Sequence, residues 1–157
     1  RTVRLSHDVL TGRSAAAVAV AAHECGHALQ HAQGYHAMQV RTALVPVVNL
    51  VNTLAMPMFL LGMFFVPFKV FALVAVIVFA AGTLFHLVTL PVEFDASSRA
   101  IKIVEQSGIA TAEEMVGVRK VLYAAGFTYL AATLMSAAEL VYWLVRSGVL
   151  GGSRNDD

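Results

Sequence analysis

The sequence predicts a mainly α, polytopic helical membrane protein with three transmembrane helices. Three observations carry that prediction. Of 157 residues, 58% are hydrophobic and only 13% are charged, whereas a soluble domain averages about 25% charged residues. The apolar residues fall in long uncharged runs, and Ala, Leu and Gln favour helix throughout the alanine-rich stretch between Ser14 and Gly34. The formal net charge of +1, from 11 basic and 10 acidic residues, removes the case for a nucleic-acid binder, and the apolar excess excludes disorder. A single cysteine, Cys25, excludes an intramolecular disulfide framework and a Cys-based metal cluster. The chain begins at Arg1 rather than Met, consistent with removal of a leader or an earlier transmembrane segment, so targeting is not read from this end.

The uncharged runs locate the spans. Thr42 to Phe68 is 27 residues without Asp, Glu, Lys or Arg, Val70 to Val92 is 23, and Val121 to Ala138 is 18, with Leu140 to Val145 prolonging the last run after Glu139. A bilayer core of about 30 Å needs roughly 20 helical residues, so each run is long enough. Pro46 and Pro57 fall inside the first span, and Pro67 with Lys69 marks a tight turn into the second, so the first two spans form a hairpin. Arg1, Arg4, Arg13 and Arg41 precede the first span, and Arg99, Lys102, Arg119 and Lys120 lie between the second and third. Lys69, Arg146 and Arg154 are on the other side, so the positive-inside rule makes the richer side cytoplasmic.

The cytoplasmic segments also read as helix. Ser14 caps an alanine-rich stretch that continues to Gln33 and stops at Gly34, while Thr2 to Leu5 ahead of it reads as a short strand. Pro91 to Gln106 is a helix leaving the membrane and ending at Gly108, and Thr111 with Glu114 has capping-box spacing, opening a helix that runs into the last span. The whole chain, 1–157, is expected to form one membrane-embedded domain. It divides into a motif region over 1–41, spans over 42–68, 70–92 and 121–145, and cytoplasmic helices over 93–120.

The segment carrying chemistry is His23-Glu24-Cys25-Gly26-His27. Residues four apart share one face of a helix about 6 Å apart along the axis, so both imidazoles can reach one zinc ion. Glu24, one residue past the first histidine, is then placed to take a proton from water held at the ion. The uncharged neighbours Val20 to Ala22, Ala28 and Leu29 put the motif in a shielded helix; the plain alternative is a pair of buried, hydrogen-bonding histidines. A third ligand is required. His31 lies eight residues, about 12 Å of rise, from His23 and cannot share its metal on a straight helix; it reads as a surface or outer residue, and His36, after Gly34, as part of a solvated loop. Glu93 re-emerges beyond the second span on the same side and is placed to complete a two-histidine, one-glutamate site, the alternative being a helix N-terminal carboxylate. Asp95, about 200° around the helix from Glu93, is the substitute ligand or an outer partner for a histidine N–H.

Three stretches together resemble the YugP-type neutral zinc metallopeptidases: AVAVAAHECGHALQHAQGY from Ala17 to Tyr35, LVTLPVEFDASSRA from Leu87 to Ala100, and VRKVLYAAGFTYLAATLM from Val118 to Met135. The similarity covers nearly the whole chain. It implies a membrane metalloprotease with zinc ligands at His23 and His27, a catalytic glutamate at Glu24, the glutamate of the PVEFDAS stretch at Glu93, and an upstream segment bearing another transmembrane helix. A more distant similarity runs to HtpX-like and CaaX-prenyl-type proteases, in which an aspartate follows the ligand glutamate by four residues; here that position is Ser97, and the aspartate stands at Asp95. Site-2-type proteases take a ligand from a Leu-Asp-Gly segment that this sequence lacks, which favours a site at the membrane surface.

Polar residues at membrane depth are a separate question. His86 lies two turns, about 10 Å, deeper than Glu93; with Asn49, Asn52 and Thr53 it is expected to form an interhelical hydrogen-bond cluster, and Glu139 to pair with Lys69 or stay protonated. Cys25 is expected to be an inert thiol turned from the metal, Tyr142 and Trp143 interfacial anchors, and Tyr35 and Tyr123 unaimed phenols. The sequence thus reads as a zinc-dependent endopeptidase with a small gluzincin-like cytoplasmic helical unit, multi-pass in the cell membrane. Its expected partners are a protein or peptide substrate near the bilayer and the lipid itself. The alternatives are a non-catalytic membrane scaffold stapled by zinc and a transporter built around His86 and Glu139.

Overall fold

A computed structural model describes residues 2–65 and 67–150, with the side chains of 55, 56, 59, 62, 63, 65, 68 and 69 left aside. The chain is mainly helical, in the order α1 (His7–Thr11), α2 (Ala15–Ala32), α3 (His36–Phe65), α4 (Phe68–Ser107) and α5 (Ala112–Arg146). No strand occurs among the described residues, so the strand expected over Thr2 to Leu5 is not formed. Residues 2–5 have no neighbouring strand and so no ladder to join, and the next residue, Ser6, instead caps α1 by accepting from Val9 N.

Local signals set the helix ends. Ser14 Oγ accepts from Ala17 N at 3.2 Å to start α2. At its end Gly34 takes φ 65°, with Tyr35 N donating to Gln30 O and Gly34 N to His31 O. This Schellman turn needs the left-handed conformation that glycine adopts without steric cost. It reverses the chain so quickly that His36 opens α3 instead of lying in a loop. The capping box at α5 is reciprocal, Thr111 N to Glu114 Oε2 at 2.8 Å and Glu114 N to Thr111 Oγ1 at 3.2 Å. The helix expected from Pro91 to Gln106 is continuous with the second expected span: both lie in α4, which runs through Pro91.

Two compact units are formed by the described residues of Arg1–Val40 with Val88–Leu130, and of Arg41–Leu87 with Ala131–Asp157. The first packs α2 against the C-terminal half of α4 and the N-terminal half of α5. Its core is Ala19 and Ala22 from α2, Ala100 and Val104 from α4, and Met115, Val118 and Leu122 from α5. Small residues let the axes close: a Cβ on Gly117 would stand 2.9 Å from that of Ala15, and one on Gly26 only 2.4 Å from the carbonyl oxygen of Ala96.

The second unit keeps many large apolar side chains outside, among them Leu50, Phe64, Ile77, Leu134 and Met135. Such a surface suits lipid rather than water. Val70–Ser107 and Ala112–Arg146 are each long and apolar enough to cross a membrane. The first expected span falls on α3, several of whose side chains lie outside the described set, as do Arg1, Arg154 and the side chain of Lys69, the expected partner of Glu139. The expected cluster of His86, Asn49, Asn52 and Thr53 is not seen among the bonds of the described residues. Thr53 Oγ1 donates back to Asn49 O within α3, with Asn49 and Asn52 exposed, and α4 is joined to α5 by Thr83 Oγ1, 2.9 Å from Ser136 Oγ. His86 meets the Phe85 ring, and Trp143 packs with Phe71, Phe79 and Tyr142.

Candidate metal centre

On α2, His23, His27 and Gln30 are spaced four and three residues apart, hence on one face of the helix. The facing stripe of α4 carries Glu93, Ser97 and Ala100, at the same kind of spacing. Gly26 allows the two helices to meet backbone to backbone at Ala96, which brings the histidines within reach of a glutamate 70 residues away from His23 in sequence.

The three groups converge. Nε2 of His23 lies 3.1 Å from Glu93 Oε2, and Nε2 of His27 lies 3.5 Å from the same oxygen. Ligand atoms of all three residues lie within 4.8 Å of one another, and the rings meet edge to face at 4.6 Å. The Glu93 carboxylate is 2% exposed. Two bonds of about 2.0–2.2 Å at a tetrahedral angle hold their donor atoms about 3.3–3.6 Å apart; the His27 edge matches this and the His23 edge is slightly shorter, and two imidazole nitrogens with one carboxylate oxygen are a donor set that suits zinc.

A model of the family described as "Putative neutral zinc metallopeptidase" matches residues 1–148. The chain belongs to this family. It is also 46% identical over 145 residues to the "Putative membrane protease YugP" of Bacillus subtilis (strain 168), an overlap that covers 92% of this chain and 64% of that protein. The chain therefore spans less than two thirds of that relative's length. No solved structure matches it.

Around the three groups lies a layer of hydrogen bonds. His23 Nδ1 meets Ser97 Oγ at 3.2 Å and His27 Nδ1 meets Gln30 Oε1 at 2.9 Å. Burial opposes charge on His27, but its bonds to Glu93 and Gln30 and the charges of Glu93 and Glu24 outweigh that, so its pKa stands above the ordinary 6.5. Asp95 does not join the cluster. It accepts from Gln30 Nε2 at 2.8 Å and from Arg99 Nε at 2.5 Å. Burial would raise its pKa, yet Arg99, Gln30 and Lys102 together hold it below the ordinary carboxylate value.

Glu24 is exposed beside the cluster, near enough for its charge to act on His27. His31 and His36 are both exposed and outside the cluster. Tyr35 lies under the Arg99 guanidinium at 5.8 Å, and Tyr123 is exposed. Cys25 is a half-buried free thiol.

Two residues in contact with the histidines have roles that sequence reasoning did not supply. Ser97 marked only a departure from the more distant proteases. Gln30 carried one readable signal, an amide seven residues after His23 and three after His27, on the metal-facing side of an alanine-rich helix.

Proposed function

We propose that this chain is a zinc-dependent membrane metalloendopeptidase in which His23, His27 and Glu93 hold the ion and Glu24 is the catalytic acid and base. The observation that carries the reading is the convergence of both Nε2 atoms on one oxygen of a buried carboxylate. Two imidazole nitrogens and one carboxylate oxygen brought together in this way are a donor set suited to zinc. Zinc bound there supplies a Lewis acid for a scissile carbonyl and makes water a nucleophile at neutral pH. The protein's own groups do the rest. Ser97 and Gln30 hold the imidazole rings so that Nε2 faces inward. Glu24, solvated at the rim, takes the proton of the attacking water and returns it to the leaving amine.

In this reading three spans tether a gluzincin-like unit at the cytoplasmic face of the cell membrane, so the substrate is a protein or peptide segment at or near the bilayer. The apolar exterior of the second unit and the membrane-protease description of the Bacillus relative support it. The test is Glu24→Gln in the full chain. Peptide hydrolysis should be lost with bound zinc unchanged, because Glu24 is outside the set of converging donors. A variant that retains both zinc and the wild-type role in the cell would instead identify a zinc-stapled scaffold.

A further inference from the structure

Gln30 is fully buried and heads the largest of the buried side chains, in a helix whose other buried residues are alanine and glycine. A buried amide is costly unless its groups are bonded. Here each is. Nε2 donates to Val92 O at 2.7 Å and to Asp95 Oδ2 at 2.8 Å. These partners fix which way the amide points: turned over, its oxygen would face a carbonyl and a carboxylate, neither of which has a proton to give.

Oε1 is therefore the atom facing His27 Nδ1 at 2.9 Å, and an amide oxygen only accepts. The proton of neutral His27 must sit on Nδ1, which leaves the lone pair on Nε2, the nitrogen turned toward Glu93. Further support comes from behind. Asp95 is held by Arg99 Nε, and Arg99 Nη1 donates to Gln33 Oε1, three residues after Gln30 on the same helix. His23 has no such lock, because its Nδ1 neighbour is the Ser97 hydroxyl, which can either donate or accept.

We propose that Gln30 is a positioning residue which, held by Val92 O and the Asp95–Arg99 pair, fixes His27 as the Nδ1–H tautomer and so presents Nε2 as a ready metal ligand. The inference rests on the metal-site reading and goes beyond it by assigning the residue that presets one ligand before any ion arrives.

The test uses the full chain in detergent, with ¹⁵N-labelled histidine and chelator-treated protein at alkaline pH. In the wild type, His27 should show a protonated Nδ1 and a bare Nε2. Gln30→Met keeps similar bulk without donor or acceptor; the proton should then move to Nε2, where it can donate to Glu93 Oε2, and zinc affinity measured against a chromophoric chelator should fall about 10–100-fold. A wild-type His27 protonated on Nε2 overturns the proposal, and needs no variant to fold. So does a folded Gln30→Met protein that keeps both the Nδ1–H signal and wild-type zinc affinity. Wild-type protein that shows the Nδ1–H signal but binds no zinc would overturn the metal reading while leaving the Gln30 lock established.

Discussion

Gly26→Ala tests the geometry most directly. A Cβ at this position would lie 2.4 Å from Ala96 O, 3.1 Å from its carbonyl carbon and 3.2 Å from its Cα, where real Cβ contacts essentially never fall below 3.0 Å. The obstacle is backbone, so no rotamer change relieves it, and α2 must part from α4 by at least 0.6 Å at this level. His27 is the next residue and Glu93 is one turn from Ala96. A coordination shell tolerates displacements of about 0.2 Å, so the expected shift is about three times too large. On an unobstructed helix the substitution would gain about 1 kcal/mol; overpacking costs about 1–3 kcal/mol, which cancels or reverses that gain. Chelator competition should show zinc binding lost or weakened at least as far as by deletion of an outer hydrogen bond, about 10–100-fold. Gly117→Ala is the control: its Cβ would meet the Ala15 methyl at 2.9 Å, in the same helical unit but away from the donors. It should lower thermal stability and leave zinc affinity unchanged. Wild-type zinc affinity in folded Gly26→Ala protein would refute the argument that this close approach sets the site.

Other consequences can be measured alongside. Glu93→Ala should abolish stoichiometric zinc, whereas Asp95→Ala should retain it at reduced affinity, since Asp95 reaches the histidines only through Gln30; metal analysis showing the reverse pattern would sink the Glu93 assignment. Because the pKa of His27 is raised above 6.5, its proton stabilises the metal-free fold below that value, and this contribution disappears as pH rises through the folded pKa. Zinc competes with the same proton, so over the same window thermal stability should fall with pH for chelator-treated protein and rise for zinc-loaded protein; parallel trends would contradict competition at His27. Thr83→Val removes the hydroxyl facing Ser136 and should cost about 0.6 kcal/mol in detergent unfolding, with zinc binding unaffected.

What the sequence made legible was whatever local spacing encodes. The HExxH pattern places its histidines on one face wherever a helix forms, and the Ser14, Gly34 and Thr111–Glu114 signals act within a few residues of themselves. The partner stripe was harder to see. The match of Glu93 to His23 and of Ser97 to His23 Nδ1 depends on the depth at which α2 and α4 interlock, and that depth is set by Gly26 against Ala96. Gln30 went unread for the same reason. Its meaning lies in Val92 O and Asp95, more than 60 residues away. In the second unit the expected cluster around His86 and the asparagines gave way to Thr83 and Ser136, small hydroxyls that can face one another where helices pack closely and that composition alone does not distinguish from ordinary helix residues.

The site divides its carboxylates by environment. Glu93 is 2% exposed and faces two imidazoles, so its carboxylate sits in a poorly solvated place. Burial opposes a proton on His27, but its bonds to Glu93 and Gln30 and the charges of Glu93 and Glu24 favour it, which is why its pKa is raised. In the proposed reading a divalent ion would add positive charge beside these groups, which an acyl-transfer oxyanion requires. Glu24 has the opposite surroundings. Exposed and one residue from His23, it keeps contact with solvent and can exchange protons, a task for which a deeply buried, cation-paired carboxylate is poorly suited. Exchanging the two environments, with a solvated ligand and a buried base, would weaken both functions, so the burial difference between Glu93 and Glu24 supports their proposed roles independently of the motif.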